Sequence, residues 1–426
     1  MYRLKCLHIL TLIFICTLFV FISSAPGQTK FYTKRVSNEL RNGPANYYPL
    51  IGVVPQNTVF TGIKNEDGWS QILLDANLAK LLETHLTTAW ISKNCLIDKP
   101  LEQRPQLRIS TKVGTPSSVA AAIRGFALRF KKTSVKNVDA LLEKDHPFFT
   151  NEEYRDFVNE GGSKPMAVSG QGLREKYAGF FNEYDASFNE SIVGFNIAAE
   201  ISSRGVVENP PLQKYLNLLG TNILHQSNAY DRYFRIYILK SSKPEAFSTP
   251  GGIVFVSLGL IRACTSEAEL GAVIAHEMIH VILHHGVKEL QGRSHKIRAE
   301  EVFAELDEAT GNVADSTEAG LEEYMQEAYD SAVKPRLLTY EEEADRGAVV
   351  FLVQAGYNPN AVVTIIKRIP ALLPAKENGL DDNPFLKRDY EQRSLSAAAF
   401  IHEYFPNTRG VINIDRFEKY CVSKKK

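Results

Sequence analysis

The sequence is poor in cysteine, which limits the cross-links and the metal sites that it can form. It contains 5 Cys in 426 residues, and Cys6 and Cys16 lie in an N-terminal apolar segment. The remaining Cys95, Cys264 and Cys421 are too few for a disulfide framework, although one bridge between two of them stays open. None of the three has a second Cys at the spacing of a metal-binding pair.

An excess of charge of one sign is also absent. Lys and Arg together number 49, and so do Asp and Glu. Proteins that bind nucleic acids usually carry a basic surplus, so the balance argues against nucleic acid as a partner. The apolar share of 44% is ordinary for a globular protein.

Long apolar runs are absent after residue 22. Before it, Arg3 and Lys5 precede an apolar run over residues 9–22 and then small residues, which is the layout of a secretory signal peptide. The run is short for a membrane span, which needs about twenty residues. The sequence predicts a signal peptide over residues 1–27 and an exported protein, periplasmic or extracellular. An uncleaved N-terminal membrane anchor is the alternative.

Residues 30–97 favour β-structure, because short runs of aromatic and β-branched residues are separated by Gly and Asn. The segments GPANYYPLIGVVPQNT, EDGWSQILL and TAWISKNCL resemble a bacterial SH3-like domain, so we expect a small β-barrel. Trp69 and Trp90 are then either core residues of the barrel or part of a shallow aromatic groove for a peptide or a cell-wall polymer.

Residues 98–185 favour helices and show no pattern that carries chemistry. Thr150 and Glu153 have the spacing of a capping box at the start of one helix. We expect a helical linker or extension here, followed by one larger domain over residues 186–410. The last residues, 411–426, end in a Lys run and are expected to form a C-terminal tail.

The most informative stretch is AHEMIHVILHHG, residues 275–286. His276 and His280 are four residues apart, so on a helix both imidazoles lie on one face and can point at one spot. Two imidazoles, a carboxylate and a water form a catalytic zinc site with an open position, and Glu277 has the place of the general base. The alternative is a helix whose histidines merely form hydrogen bonds in a core.

The surrounding residues are typical of a buried helix. Ser266 and Glu269 predict a capping box at its start, and Gly286 predicts its end. The residues between are almost all apolar, so buried histidines would need partners. We interpret His284 and His285, near the helix end, as capping residues rather than metal ligands.

A second helix is predicted in TYEEEADRGAVVFLVQAGYNP, where Thr339 and Glu342 have capping-box spacing. Glu341 and Asp345 lie on one face, so Glu341 could reach a metal while Asp345 accepts a proton from the outer nitrogen of a ligand His. Spacing alone does not distinguish Glu341 from its neighbours. Glu342 and Glu343 also fit an acidic first turn that complements the helix dipole.

These motifs resemble the HtpX/Oma-type zinc metallopeptidases, the family that also contains the CAAX prenyl proteases. His276-Glu277-x-x-His280 is followed by Glu341-x-x-x-Asp345. AFSTPGGIVFVSLGLI, residues 246–261, is similar to the strand that precedes the metal helix in the family, and GYNP follows the second helix. The resemblance covers roughly residues 186–410.

The resemblance implies that His276, His280 and Glu341 bind one Zn²⁺ per chain, with Glu277 as the base and Asp345 as the carboxylate behind a ligand. It also implies an α+β fold, with a mainly helical zincin-type domain that contains a small β-sheet. The SH3-like barrel would precede this domain.

Two features depart from the family pattern. Glu245 stands where many relatives have Asn, and Asn-Pro at residues 383–384 replaces a His-Pro pair that precedes an Arg. From position alone, Arg393, Arg388 or Tyr390 is the donor that would stabilise the oxyanion.

RYFRIYILK and IVFVS predict strands, and PEAFSTPGG between them predicts a loop. The second strand lies close to the metal helix in sequence. An extended peptide can add to a strand by backbone pairing, which depends little on side chains. We therefore expect a substrate edge at Ile253, Val254, Phe255, Val256 and Ser257.

An acidic, helix-prone segment with weak caps lies between the two ligand helices, over residues 287–335. Its low expected stability suits a mobile lid over the cleft. A solvated helical hairpin is the alternative.

Together, the motifs and the resemblance predict an exported zinc-dependent endopeptidase that hydrolyses unfolded or misassembled envelope proteins. The lack of further apolar runs distinguishes the chain from multispanning members of the family, so prenylated peptides are not the expected substrates. The alternatives are a chaperone-like factor and a cell-wall-binding factor with little proteolysis. Contact with a membrane is expected only if the N-terminal segment is not cleaved.

Overall fold

The computed structural model describes residues 30–35, 37–101, 135–143, 148–166, 188–286, 288, 326, 329–330, 332–333, 336–373 and 384–422. The signal peptide predicted over residues 1–27 lies outside the described residues. The same holds for most of the lid predicted over residues 287–335. Both remain predictions.

The N-terminal segment forms an antiparallel sheet of seven strands in the order β3-β2-β6-β5-β4-β1-β7. The strands are β1 (Lys30–Thr33), β2 (Ser37–Arg41), β3 (Leu50–Pro55), β4 (Val59–Glu66), β5 (Trp69–Leu73), β6 (Thr88–Ser92) and β7 (Leu96–Ile97). Helix α1 (Ala76–Leu81) follows β5, and a short 3₁₀ helix (Lys93–Cys95) precedes β7. The predicted β-rich unit is therefore confirmed.

The closed barrel expected for this unit is not formed. β3 pairs with β2, and β7 pairs with β1, so the sheet ends in two separate edges. β7 has only two residues, Leu96 and Ile97, and both lie opposite β1. Trp69 and Trp90 are 2% and 7% exposed, which confirms them as core residues and excludes an open groove between their rings.

The described parts of residues 98–185 contain helices, as predicted, with short non-helical stretches beside them. They include α2 (Val135–Glu143) and α3 (Asn151–Gly161). The predicted capping box at the start of α3 is confirmed, because Thr150 accepts from the backbone of Glu153 and Glu153 accepts from the backbone of Thr150. Helix α4 (Phe188–Ser202) follows.

The second sheet has three strands in the order β8-β10-β9. Helix α5 (Pro210–His225) leads to β8 (Arg235–Leu239), β9 (Ala246–Thr249) and β10 (Ile253–Ser257). β9 replaces part of the predicted loop, because Gly251 and Gly252 have φ of 82° and 91° and form a tight turn back into β10. β10 runs parallel to β8 and antiparallel to β9.

The substrate edge predicted at Ile253, Val254, Phe255, Val256 and Ser257 is wrong. These residues form β10, which is the central strand, so its backbone groups already pair with β8 and β9. Residue composition identified the strand but could not reveal its neighbours. β9 lies at the outer edge of this sheet.

The remaining elements are helices. They are α6 (Leu258–Ala263), α7 (Glu267–Ile282), α8 (Leu338–Gln354), α9 (Asn360–Arg368), a 3₁₀ helix (Ile369–Leu372), α10 (Pro384–Tyr404) and α11 (Ile414–Cys421). α7 is buried along nearly all its length and belongs to a core formed with α5, α8 and α9. Gly347 allows close packing of α8 on α7, since a Cβ there would lie 2.8 Å from Ile279.

The ends of these helices differ from the prediction in three places. Ser266 caps α7 as expected, but Glu269 bonds the backbone of Thr265 and not of Ser266. α8 begins at Leu338 without a side-chain cap, so the capping box predicted at Thr339 is not formed. α7 ends at Ile282 rather than near Gly286, because His284 adopts a left-handed φ of 56°.

The C-terminal tail predicted over residues 411–426 is largely a docked helix. α11 begins at Ile414, and its Phe417 is 3% exposed. Arg416 forms hydrogen bonds with the fully buried carboxylate of Glu267 at the start of α7. The Lys run at residues 424–426 lies outside the described residues, so the free end predicted for it stays a prediction, whereas this ion pair ties α11 to the core.

The N-terminal sheet contacts the rest of the chain through polar groups around Asp231. Arg35 Nη1 donates to Asp231 Oδ2 at 2.6 Å. Tyr230 OH donates to the Gly68 carbonyl at 2.7 Å, and its ring lies edge-on to Trp69. The two parts are therefore joined by buried, directional contacts.

The three described cysteines, Cys95, Cys264 and Cys421, are free thiols. Within the described ranges, every helix is too short or too polar to cross a bilayer.

Candidate metal centre

Two helices bring the predicted metal ligands together. On α7, the Nε2 atoms of His276 and His280 lie 2.9 Å apart. Glu341, in the first turn of α8, faces both rings. Its Oε2 lies 3.4 Å from Nε2 of His276, and its Oε1 lies 3.4 Å from Nε2 of His280. The neighbouring carboxylates of Glu342 and Glu343 do not belong to this group, so the structure selects Glu341 as the third member.

The donor set fits a zinc ion. The three ligand atoms lie within 4.8 Å of one another. Tetrahedral zinc with nitrogen and oxygen ligands has ligand–ligand separations of about 3.4 Å, which matches the distances between Glu341 and the two rings. Three protein ligands leave a fourth position, as in catalytic zinc sites.

Asp345 lies behind His276, one turn after Glu341. The Asp345 Oδ1 atom is 2.9 Å from His276 Nδ1. Arg393, from α10, donates to both oxygens of Asp345 at 2.8 and 2.9 Å, and its Nη1 is 2.7 Å from Glu341. Arg393 therefore holds two carboxylates of the site rather than facing open space.

The charges of the group depend on burial and on Arg393. Burial acts to raise the pKa of both Glu341 and Asp345, but Arg393 and the neighbouring imidazoles together outweigh it and hold each pKa below its usual value. Burial lowers the pKa of His276, yet the two carboxylates outweigh it and raise the pKa to about 9. His276 must therefore give up a proton before it can bind a metal.

His280 behaves differently. Its burial, with Arg336 and His276 nearby, holds its pKa well below the usual value. A neutral His280 can offer Nε2 as a ligand without losing a proton.

The group opens into a cleft of about 300 Å³. Glu277 lines this cleft beside His276 and His280, as predicted. The apolar part of the cleft lining includes Val273, Val362, Ile365, Ile366 and Ile369.

Residues 210–406 match the family model described as peptidase family M48. This stretch is slightly under half of the chain and contains every residue of the centre described above. This stretch, called the M48 domain below, is similar to the M48 metallopeptidases, whose members use zinc.

Several curated proteins are similar to this M48 domain and its surroundings. A beta-barrel assembly-enhancing protease of Escherichia coli strain K12 is 23% identical, over 39% of this chain and 34% of its own length. A protein of the same name from Yersinia pestis is 26% identical, over 39% of this chain and 35% of its own length. The mitochondrial metalloendopeptidase OMA1 of Schizosaccharomyces pombe is 26% identical, over 41% and 49%. The chain thus spans less than half the length of each.

The interpretation of His285 as a helix cap is wrong. His285 is fully buried, and its Nδ1 lies 2.8 Å from Nδ1 of His280. Its Nε2 lies 3.2 Å from Glu343, and its ring stacks on Tyr340 at 4.4 Å. Glu343 is therefore also more than an acidic residue of a first turn. The left-handed turn at His284, which the sequence does not reveal, precedes His285 and ends the helix.

Arg336 is a second cation of the M48 cleft that sequence reasoning missed. Ser257 donates to the Glu245 carbonyl, so the register of β9 and β10 turns the backbone groups of Ser248 outward. Arg336 Nη2 lies 3.5 Å from the Ser248 carbonyl. Its buried Nη1 has no hydrogen-bond partner among the described residues.

Tyr390 and Arg388 were also predicted as candidates for the oxyanion donor. Tyr390 lines the cleft, and Arg393 lies over its ring at 5.3 Å. Arg388 falls in α10, but its side chain lies outside the described residues.

Proposed function

We propose that this protein is an exported zinc-dependent endopeptidase that acts on unfolded or misassembled envelope proteins. The observation that carries the proposal is the group of His276, His280 and Glu341, which converge beside Glu277 at the floor of an open cleft. A zinc site that serves only structure has no use for a carboxylate at this place.

His276, His280 and Glu341 would hold the zinc ion. Bound zinc would activate a water and polarise the carbonyl of the scissile peptide. Asp345 fixes the ring of His276, and Arg393 keeps both Asp345 and Glu341 ionised. The ligands are thereby oriented before substrate arrives.

Glu277 would act as general base and then as general acid. Its carboxylate takes a proton from the attacking water and passes it to the nitrogen of the leaving amine. Because Glu277 follows a ligand directly on a buried helix, its position is fixed relative to the bond that is cleaved.

Substrate would pair with β9 in place of the strand predicted from the sequence. The outward backbone groups of Ala246 and Ser248 can accept an extended peptide. Arg336 lies at this edge, and its Nη1, which has no hydrogen-bond partner within the described ranges, is better placed than Arg393 to stabilise the oxyanion. Tyr390 is the other donor of the cleft.

The substrate class rests on the signal-peptide pattern and on relatives. Two of the relatives are named for the assembly of β-barrels, and a third is named a metalloendopeptidase. A cleft that binds backbone at a strand edge suits chains that have not yet folded, because folded segments cannot add to an edge. An exported location follows from the pattern of residues 1–27.

The test is cleavage of unfolded casein by the purified chain and by Glu277→Gln. We expect the variant to keep its zinc, measured by elemental analysis, and to lose at least about 10²-fold in kcat, because a general base supplies this much. Glu152→Gln is the control, since Glu152 is an exposed carboxylate on α3 that does not line the cleft. Equal cleavage by Glu277→Gln and wild type would refute the proposed mechanism.

A further inference from the structure

We propose that His285 and Glu343 position the metal ligand His280 through a hydrogen-bonded chain separate from the one that holds His276. The inference rests on the proposed zinc site. It assigns a role to two residues whose sequence pattern predicted only a helix cap and an acidic first turn.

The contacts form an unbroken path. His280 Nδ1 lies 2.8 Å from His285 Nδ1, and His285 Nε2 lies 3.2 Å from a carboxylate oxygen of Glu343. His280 is 2% exposed and His285 is fully buried, so water does not compete at the first contact. Glu343 reaches the more open side, with 26% of its side chain exposed.

Metal binding determines which nitrogen of each ring donates a hydrogen bond and which accepts one. Nε2 of His280 faces His276 and Glu341, so it is the nitrogen that binds the metal. A neutral ligand His then carries its proton on Nδ1 and needs an acceptor there. His285 Nδ1 is that acceptor, which places the His285 proton on Nε2, where it donates to Glu343. Each ring is thereby held in one tautomer.

The plane of the His285 ring is fixed independently. Tyr340 stacks on it with an interplanar angle of 12°. Tyr340, Glu341 and Glu343 all lie in the first turns of α8. One helix start therefore supplies the third ligand, the surface that orients His285 and the carboxylate that holds its proton.

The two ligand histidines thus have different support. His276 has a charged carboxylate directly behind it, and that carboxylate is paired with Arg393. His280 has a neutral ring behind it, with the carboxylate one step further away. Loss of either support leaves a buried N–H without an acceptor, which costs stability of the bound state.

The decisive variant is His285→Phe, which keeps a ring to stack on Tyr340 but offers no acceptor. We expect zinc affinity, measured by competition with a chelator of known affinity, to fall by about 10- to 100-fold. His285→Gln, whose amide oxygen can accept from His280, should recover part of the loss. Glu343→Gln keeps an acceptor and should lose less than His285→Phe.

A matched control is His225→Phe, a His of the same domain that lies against Tyr154 away from the cleft. It should leave zinc affinity unchanged. With Co²⁺ in place of zinc, the visible absorption bands of His285→Phe should shift, and those of His225→Phe should not. A merely structural role would instead lower the thermal stability of the metal-free protein and leave affinity and bands unaltered.

The outcomes separate the inference from the proposed function. Wild type that binds zinc as tightly as His285→Phe would overturn the inference and leave the peptidase proposal intact. If the zinc affinity of the wild type depends on His285 as expected but the wild type cleaves no protein, the inference is supported and the proposed function is overturned. Absence of zinc binding by wild type would overturn both.

Discussion

Arg336 and Arg393 are two cations beside the same ligands, and their surroundings give them different roles. The guanidinium nitrogens of Arg393 lie 2.7 to 2.9 Å from the carboxylate oxygens of Asp345 and Glu341. Arg336 makes one long contact, with the carbonyl of Ser248, and keeps a buried Nη1 without a partner in the part of the chain that the structure describes. Arg393 therefore orients the ligands, whereas Arg336 is available to a substrate.

This difference predicts the effect of Arg336→Met, which keeps an apolar stem and removes the donors. We expect kcat for casein cleavage to fall by about 10²- to 10³-fold, the usual loss for one oxyanion donor, with zinc content unchanged. Arg262→Met, at an exposed position of α6, should behave as wild type. If Arg336→Met retained full kcat while Tyr390→Phe lost it, Tyr390 would be the donor instead.

For individual residues, the sequence predicts the metal ligands better than it predicts the side chains that orient those ligands. Helical spacing brings His276 and His280 to one face whatever the rest of the fold, so their pairing follows from four residues of separation. Choosing Glu341 among three adjacent acids needed the family resemblance. His285 could not be predicted, because its position follows a left-handed residue at 284, which no spacing rule encodes.

Among the elements, the closeness of α7 and α8 sets the distance between the histidines and Glu341. Gly347 lies on the contact face of α8, and a Cβ there would come within 2.8 to 2.9 Å of three side-chain atoms of Ile279. Such distances require the helices to move apart or the Ile279 side chain to shift. The absence of a side chain at residue 347 therefore maintains the site.

Gly347→Ala tests this contact, because two effects of opposite sign compete. Overpacking costs about 1–3 kcal/mol, whereas Ala gains about 1 kcal/mol over Gly in helix propensity. We expect a net loss of about 1 kcal/mol in the free energy of unfolding, measured with urea, and weaker zinc binding. In the Ile279→Ala background, where the clash is removed, the same change should stabilise the protein.

A stabilising effect of Gly347→Ala in the wild-type background would show that the two helices are not tightly apposed. No change in zinc affinity, with a clear loss of stability, would show that Glu341 does not depend on this contact.

The composition of β9 and β10 explains why the sequence predicted the wrong strand as the substrate edge. A short run of apolar, mostly β-branched residues identifies β10 well, because the strand is buried at every position. β9 has only four residues, AFST, beside Pro and two Gly, so its composition resembles a loop. Its strand character comes from pairing with β10, a tertiary effect that propensity does not contain.

For the whole molecule, two buried ion pairs join distant parts of the chain to the M48 domain. Glu267, fully buried at the start of α7, accepts from Arg416 and from the hydroxyls of Tyr215 and Tyr357 at 2.9 and 2.8 Å. Asp231 accepts from Arg35 of the N-terminal sheet. Composition shows only balanced charge, so neither pairing could be predicted from the sequence.

The Arg35–Asp231 pair should make the free energy of unfolding depend on pH in the acid range. Burial acts to raise the pKa of Asp231, but Arg35 and Arg232 outweigh it and hold the pKa below its usual value. An unfolded Asp has a pKa of about 3.9. The contribution of the pair is therefore complete above about pH 5, and it is lost as the pH falls through the lower pKa of the folded state.

Asp231→Asn should consequently cost about 3–5 kcal/mol in the free energy of unfolding at neutral pH, since it leaves the buried Arg35 charge without this carboxylate. The difference from wild type should shrink below about pH 4, where the wild-type carboxyl also becomes protonated. Glu66→Gln, in an exposed pair with Lys64, is the control and should change stability little at any pH. Because Asp231 lies in the segment that leads from α5 into β8, a constant difference down to pH 3 would mean that its packing, and not its charge, joins the N-terminal sheet to the M48 domain.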